Sequence, residues 1–234
     1  MQSCRKSVLM VAVAAILLAG TIFAGVAQAQ QPKAAEPAAA KAPEQIALPA
    51  PIQGAPGSLE YVLAQRHSVR AFSSKPLTQQ QIGQLFWAAQ GITHDENKRT
   101  APSAGALYPL EIYVVTADGF YHYIPKGHSM VRVSDRDLHQ AVYQASHQQD
   151  MLEAPAIFVI AGVTERTAKK YGAKAEKYVA MESGHVAQNL LLEATAMGLA
   201  CVPAAGFVDA DLQQGLSLPQ EERPIYIVPV GYPK

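Results

Sequence analysis

Apolar positions recur along this chain in two rhythms, and each rhythm predicts an element. Leu77, Ile82, Leu85, Phe86 and Ala89 follow the helical period, with Thr78 as the cap and Gly91 as the stop. A shorter helix is predicted over residues 59–65 behind Ser58. Residues 112–116 and 120–124 are β-branched and aromatic runs, with Asp118-Gly119 between them as a hairpin turn. Residues 135–146 read as a helix, and residues 156–161, wholly apolar after Pro155, as a buried strand. The longest helix is predicted over residues 173–197, stopped by Gly198. A strand at 199–203, a short helix at 209–216 and a last apolar strand at 225–230 follow. Helices alternate with strands, but the hairpin argues against a wholly parallel sheet. The pattern predicts an α+β fold, a central sheet covered by helices.

The start of the chain has another character. Arg5 and Lys6 precede the almost wholly apolar residues 7–24, and Ala27-Gln28-Ala29 supplies small residues where a signal peptidase cuts. Residues 1–29 are therefore expected to be an export signal, directing the protein to a bacterial periplasm. The apolar run also approaches the roughly 20 residues that span a bilayer, so an uncleaved membrane anchor is the other reading. Cys4 lies before the run and cannot be the lipid-bearing cysteine that follows such a segment. Residues 30–57, rich in Ala, Pro and Gln, form a linker, and the domain is expected over 58–234.

Composition adds exclusions. Lys plus Arg and Asp plus Glu both count 19, so no global field marks a nucleic-acid binder. Removing residues 1–29 takes away two basic and no acidic residues, which leaves a balance of −2. Cys201 would then be the only cysteine, so no intramolecular disulfide staples the fold. Within Leu199-Ala200-Cys201-Val202 it reads as a small buried hydrophobe rather than a reactive thiol.

Three segments carry candidate chemistry. In Arg66-His67-Ser68-Val69-Arg70, an extended backbone would place Arg66, Ser68 and Arg70 on one face. Two guanidinium groups and a hydroxyl there can grip a phosphate, although an exposed charged edge strand would look the same. In Ala101-Pro102-Ser103-Ala104-Gly105-Ala106-Leu107-Tyr108-Pro109, small residues between prolines let a flat ligand approach, or simply form a surface loop. In Pro203-Ala204-Ala205-Gly206-Phe207, small residues leave backbone N–H groups open as donors, as any tight turn does.

Together these segments resemble the nitroreductase family of FMN oxidoreductases. Within it the chain is most similar to the SagB-type dehydrogenases, which oxidise azolines in peptide natural products. The resemblance rests on Arg66-His67-Ser68-Val69-Arg70, Trp87-Ala88-Ala89-Gln90-Gly91, residues 102–111 and Tyr121-His122-Tyr123. It rests also on Glu182-Ser183-Gly184-His185-Val186-Ala187-Gln188-Asn189-Leu190 and Pro229-Val230-Gly231-Tyr232-Pro233. It implies a homodimer with FMN at the subunit interface. Arg66 and Ser68, with His67 between them, would meet the phosphate, and Arg70 the pyrimidine edge. Pro102, Ser103, Ala104 and Gly105 would reach the flavin from the other subunit. The N–H groups of Ala205 and Gly206 would face N5, through which hydride moves. The reaction would be ping-pong between NAD(P)H, or another electron partner, and a small organic substrate. Tyr108 and His185 are the proton-donor candidates.

Two departures qualify the resemblance. Many nitroreductases have an asparagine and a glutamine where Ala106 and Tyr108 stand, so those substrate contacts do not carry over. Relatives also follow Gly-x-Pro with basic residues that hold the phosphate, whereas here Lys234 alone follows, and loose flavin retention is expected. Glu182 and His185, one helical turn apart, could share a metal, but a di-iron site needs a second Glu-x-x-His and two more glutamates, so a satisfied polar patch on the dimer-facing helix is expected instead, and no metal. Hydrolase, NTPase and Rossmann motifs are missing from the sequence. A non-catalytic protein that kept the fold, with or without flavin, is the reading from another class, and export away from NAD(P)H favours it.

Overall fold

A computed structural model describes residues 49–52, 54–94 and 98–234; the predicted signal and most of the linker lie outside them. Local chemistry sets the first two helices. Ser58 accepts the Tyr61 N–H at 3.2 Å and opens α1 (Leu59–Gln65), as expected. Thr78 and Gln81 exchange both bonds of a capping box to open α2 (Gln79–Gln90), and Gly91 ends it by donating to Trp87 O.

The strands are β1 (Leu110–Thr116), β2 (Gly119–Ile124), β3 (Ser129–Ser134), β4 (Ala156–Gly162), β5 (Ala200–Cys201) and β6 (Arg223–Gly231). They form one sheet in the order β3-β2-β1-β4-β6-β5, every pair antiparallel. The helices that cover it are α3 (His139–Ser146), α4 (Asp150–Glu153), α5 (Thr164–Tyr171), α6 (Ala175–Ala196) and α7 (Asp209–Gly215). The α+β architecture is as the apolar pattern predicted.

Alternation along the central strands divides the core in two. Ile112 and Val114 of β1, with Phe158 and Ile160 of β4, pack under α2 and α6 beside Leu85, Phe86 and Leu190. Tyr113 and Val115, with Ile157 and Val159, pack on the other face with Val142 of α3 and Leu212 of α7. Burial of both faces is why β4 reads as an unbroken apolar run.

Three details differ from the sequence expectation. The hairpin turn is Ala117-Asp118, one residue early, because Thr116 already pairs with Gly119. Gly119 (φ +152°) belongs to β2, and a Cβ there would lie 2.6 Å from Ser134 O. The helix expected from residue 135 starts at His139, because Asp137 turns back to accept the His139 N–H at 2.9 Å. The strand β3, the helix α5 and the single turn of α4 are likewise not predicted by the sequence pattern. Val131 and Val133 of β3 face solvent at the sheet edge, and α5 buries only Thr167, so neither shows the usual apolar signal.

Candidate active site

The basic segment is anchored at the edge of the sheet. Val69 N–H donates to Cys201 O at 3.0 Å and ties residues 66–70 to β5, although they form no strand themselves. Beyond it Phe72 pairs with Pro233, Ser73 N–H donates to Tyr232 O at 2.9 Å, and Lys234 N–H donates to Ala71 O at 3.3 Å. Arg66 is half-buried, while His67, Ser68, Arg70 and Lys234 are exposed. The His67 ring lies against its neighbour Gln65 O at 2.8 Å. Neither Arg66 nor Arg70 forms an ion pair among the described residues. Arg66 acts on the Cys201 thiol, which burial nevertheless pushes up to about 11. Arg70 faces Asp150, a buried carboxylate whose Oδ2 has no partner among the described residues; burial holds Asp150 above its ordinary range despite that positive charge.

Residues 204–206 leave the same edge. Ala204 pairs with Ile227, and Gly206 O accepts from Gln148 Nε2 at 3.0 Å. The N–H groups of Ala205 and Gly206 are exposed and donate to nothing among the described residues. Two consecutive free donors on the same sheet edge as the unpaired arginines form a setting in which an anionic, hydrogen-bonding cofactor fits.

The loop of residues 102–108 is elsewhere. It leads into Leu110, which opposes Gly162 and hence the Arg223 end of β6; the basic segment and Lys234 lie at the Gly231 end. The seven residues of β1, six rises of roughly 3.3 Å, separate the two ends by about 20 Å. One chain therefore does not bring all the sequence-predicted residues together.

That loop is strained and clamped. Gly105, Ala106 and Tyr108 have φ of +65°, +54° and +46°. Ser103 Oγ–H donates to Glu182 Oε2 at 2.6 Å and accepts the Tyr108 N–H at 2.9 Å, which closes the loop on itself. Arg166 donates to Tyr108 O and to Glu111 Oε1, both at 2.6 Å, and His122 Nε2 lies 2.8 Å from Glu111 Oε2. Arg99 stacks 4.2 Å over the Tyr108 ring and donates to Gln90 Oε1 at 2.9 Å; Gln90 in turn donates to Glu182 Oε1 at 3.4 Å. Burial lifts the Glu182 carboxyl above its ordinary range, against these partners. Burial also raises Glu111, but the bonds from His122 and Arg166 outweigh it and hold that carboxyl low.

Several of these residues escaped the sequence reading. Glu182 is a satisfied polar group, as expected, but its partners Ser103 and Gln90 were not predicted, and His185 does not join it and is exposed. Lys170 and Tyr171 of α5 crowd Gly105: a Cβ there would lie 3.0 Å from Nζ and 2.8 Å from the phenol oxygen. They place an ammonium and a phenol at the loop tip, a position the polar sequence of α5 did not advertise.

Two hollows complete the surface. A cleft of about 810 Å³ opens between the start of α2, the start of α3 and the end of α4. No lysine or arginine is among the described residues lining it, so it does not suit a phosphate and is not where the predicted cofactor residues lie. A groove of about 370 Å³ runs between α1, α2 and α6, past Leu59 and Trp87.

An antiparallel sheet under helices, with an unpaired cationic segment and free N–H donors at its edge, defines an α+β class that can bind an anionic cofactor. The chain belongs to the nitroreductase family, whose profile matches residues 63–232. Protein MJ1384 of Methanocaldococcus jannaschii, named a nitroreductase, is 42% identical over 180 residues, covering 74% of this chain and 90% of that protein. A nitroreductase-type structure from Ralstonia eutropha superimposes with a TM-score of 0.70 at 28% identity, covering 80% of this chain and 88% of that one. The microcin B17-processing protein McbC of Escherichia coli is 26% identical over 136 residues; the match spans 53% of this chain and half of McbC. The family makes this chain an oxidoreductase of flavin-dependent type.

Proposed function

We propose that the protein is a homodimeric FMN oxidoreductase that passes hydride between an electron partner such as NAD(P)H and a small organic molecule. FMN, when bound, supplies the two-electron chemistry through N5. The chain's own residues would bind and orient it. Arg66 and Ser68 would take the phosphate, and Arg70 would place positive charge at the pyrimidine edge. Ala205 and Gly206 would donate their N–H groups toward N5. The loop of residues 102–105 would come from the second copy.

The observation that carries this reading is the separation just described. The unpaired Arg66–Arg70 segment stands at the Gly231 end of the sheet and the clamped loop at the other, with the Ala205 and Gly206 donors following the Ala204–Ile227 bridge midway along β6; on this reading a complete site takes two chains. Leu59, Tyr61 and Leu63 of α1, Trp87 of α2 and Met181 of α6 are exposed on the helices of one layer and give a second copy an apolar surface to cover.

FMN titration of the parent and Arg66→Ala proteins, with sedimentation of each, tests the proposal. Loss of a charge-assisted phosphate contact, about 1.5–3 kcal/mol, should weaken FMN by roughly ten- to a hundredfold while both proteins remain dimers. Equal affinity in the two proteins, or a monomer that still binds FMN tightly, refutes it.

A further inference from the structure

The donors proposed for N5 lie on a segment with little of its own to hold it. Ala204 exchanges two 2.9 Å bonds with Ile227, and Val208 N–H donates to Ala145 O at 2.9 Å. Between these anchors Phe207 packs against the core. The one hydrogen bond there among the described residues runs from Gln148 Nε2 to Gly206 O, at 3.0 Å. Gly206 itself is loosely confined: a Cβ on it would meet only Gln148 Nε2, at 3.7 Å, an ordinary contact. Glycine has the widest backbone freedom of any residue, so here a held carbonyl matters more than packing.

Granted the flavin site proposed above, we infer that Gln148, in the connection between α3 and α4, is a positioning residue. Its side-chain amide sets the direction of the Gly206 backbone, and so how well the Ala205 and Gly206 N–H groups meet N5. Gln148 is half-buried and its own backbone is fixed on both sides. Before it, His147 at φ +54° donates its N–H to Tyr143 O at 2.7 Å and ends α3. Gln148 N–H donates to Ser146 Oγ at 3.4 Å, and Gln148 O accepts the Met151 N–H at 3.1 Å. The connection runs on into Asp150, on which Arg70 acts. One short stretch of chain thus borders both the N5 donors and the cation proposed for the pyrimidine edge.

The chemical consequence has a sign. Oxidised N5 is an acceptor, whereas reduced N5 carries a hydrogen and would face the N–H groups as a donor itself. Well-aimed N–H donors therefore favour the oxidised flavin and lower its potential. A residue that aims them governs the balance between the two forms without touching the cofactor.

Two variants of the full chain test this. Gln148→Met keeps the length and apolar stem of the side chain and removes the donor; Gln148→Ala removes the stem as well. Without FMN, the order parameter of the Gly206 amide should fall in both from about 0.85, the rigid range, toward about 0.6, while that of Val208 stays unchanged. With FMN, the oxidised form should bind about fivefold more weakly, the worth of one neutral hydrogen bond. Reduced FMN should bind no more weakly than to the parent. The difference raises the two-electron midpoint potential of bound flavin by about 20 mV. A residue that merely supports the fold would shift both affinities together and leave the potential where it was. An unchanged Gly206 order parameter, or an unchanged ratio of the two affinities, overturns the assignment. Titration of Arg66→Ala keeps the two readings apart. If that variant binds FMN weakly while the Gln148 variants keep the parent potential, the flavin site stands and the role of Gln148 falls; a parent that binds no FMN sinks both.

Discussion

Replacing Glu182 with alanine tests how the loop at residues 102–108 is held. Ala106 and Tyr108 are L-residues at positive φ, and each such residue costs about 1–2 kcal/mol. The loop keeps that shape because Ser103, fixed by Glu182, receives the Tyr108 N–H. A hydrogen bond to a charged acceptor is worth about 1.5–3 kcal/mol. Part of this is offset by burying the carboxylate, as its raised pKa records. A net loss of about 2 kcal/mol is expected for Glu182→Ala, a fall in Tm of about 4–8 °C for a domain of this size. Glu182→Gln keeps an acceptor for Ser103 and should stay within about 1 kcal/mol of the parent.

The sign with pH follows from the direction of the shift. A carboxyl whose pKa is raised on folding stabilises the fold fully below its unfolded pKa, and that stability is lost as pH rises through the folded pKa. The parent should therefore gain on Glu182→Gln as pH falls. Hydrogen exchange supplies the local reading, since the Ala106 and Tyr108 amides are both bonded to Ser103. Both should lose protection in Glu182→Ala and retain it in Glu182→Gln. If Glu182→Ala leaves both amides protected and Tm within 1 °C of the parent, the clamp is not what holds the loop.

Two more outcomes follow from the same structure. Glu111 has its carboxyl held low by His122 and Arg166, so its stability is present above the unfolded pKa and lost as pH falls through the folded one. With Arg166 partly solvated, Glu111→Gln should cost about 1–2 kcal/mol near neutrality, a gap that closes in acid, as urea unfolding at several pH values would show; a gap independent of pH would contradict it. Gly231→Ala places a Cβ 2.5 Å from the rigid Pro155 ring and 3.2 Å from Phe72. It should destabilise by about 1–3 kcal/mol through overpacking, and a thermal melt matching the parent would show that the strand yields freely.

Features written in a few neighbouring residues were legible in the sequence. Ser58 and Thr78 state where helices begin, and Gly91 where one ends, because capping is completed within four residues. The apolar runs of β4 and β6 announce burial on both faces. The edge strand β3 was hidden because Val131 and Val133 turn to solvent, and α5 because almost nothing on it is buried. The loop's supports were hidden for another reason. Ser103 and Glu182 are 79 positions apart, and nothing in either local pattern says that one will bond the other. The resemblance implies a use for the loop but says nothing of what holds it.

The pairing of Phe72 with Pro233 joins segments about 160 residues apart. Contacts between such distant parts of a chain carry the largest loop-closure entropy and form late in folding. Arg66, Ser68 and Arg70 adjoin one side of this seam, so the groups proposed to hold the phosphate gain their final places only after the central strands have assembled. The seam is held by few bonds, Ser73 N–H to Tyr232 O and Lys234 N–H to Ala71 O beside the Phe72–Pro233 pairing. Trimming or pulling on residues 232–234 would release the Arg66–Arg70 segment first, leaving a folded sheet with a slackened cradle.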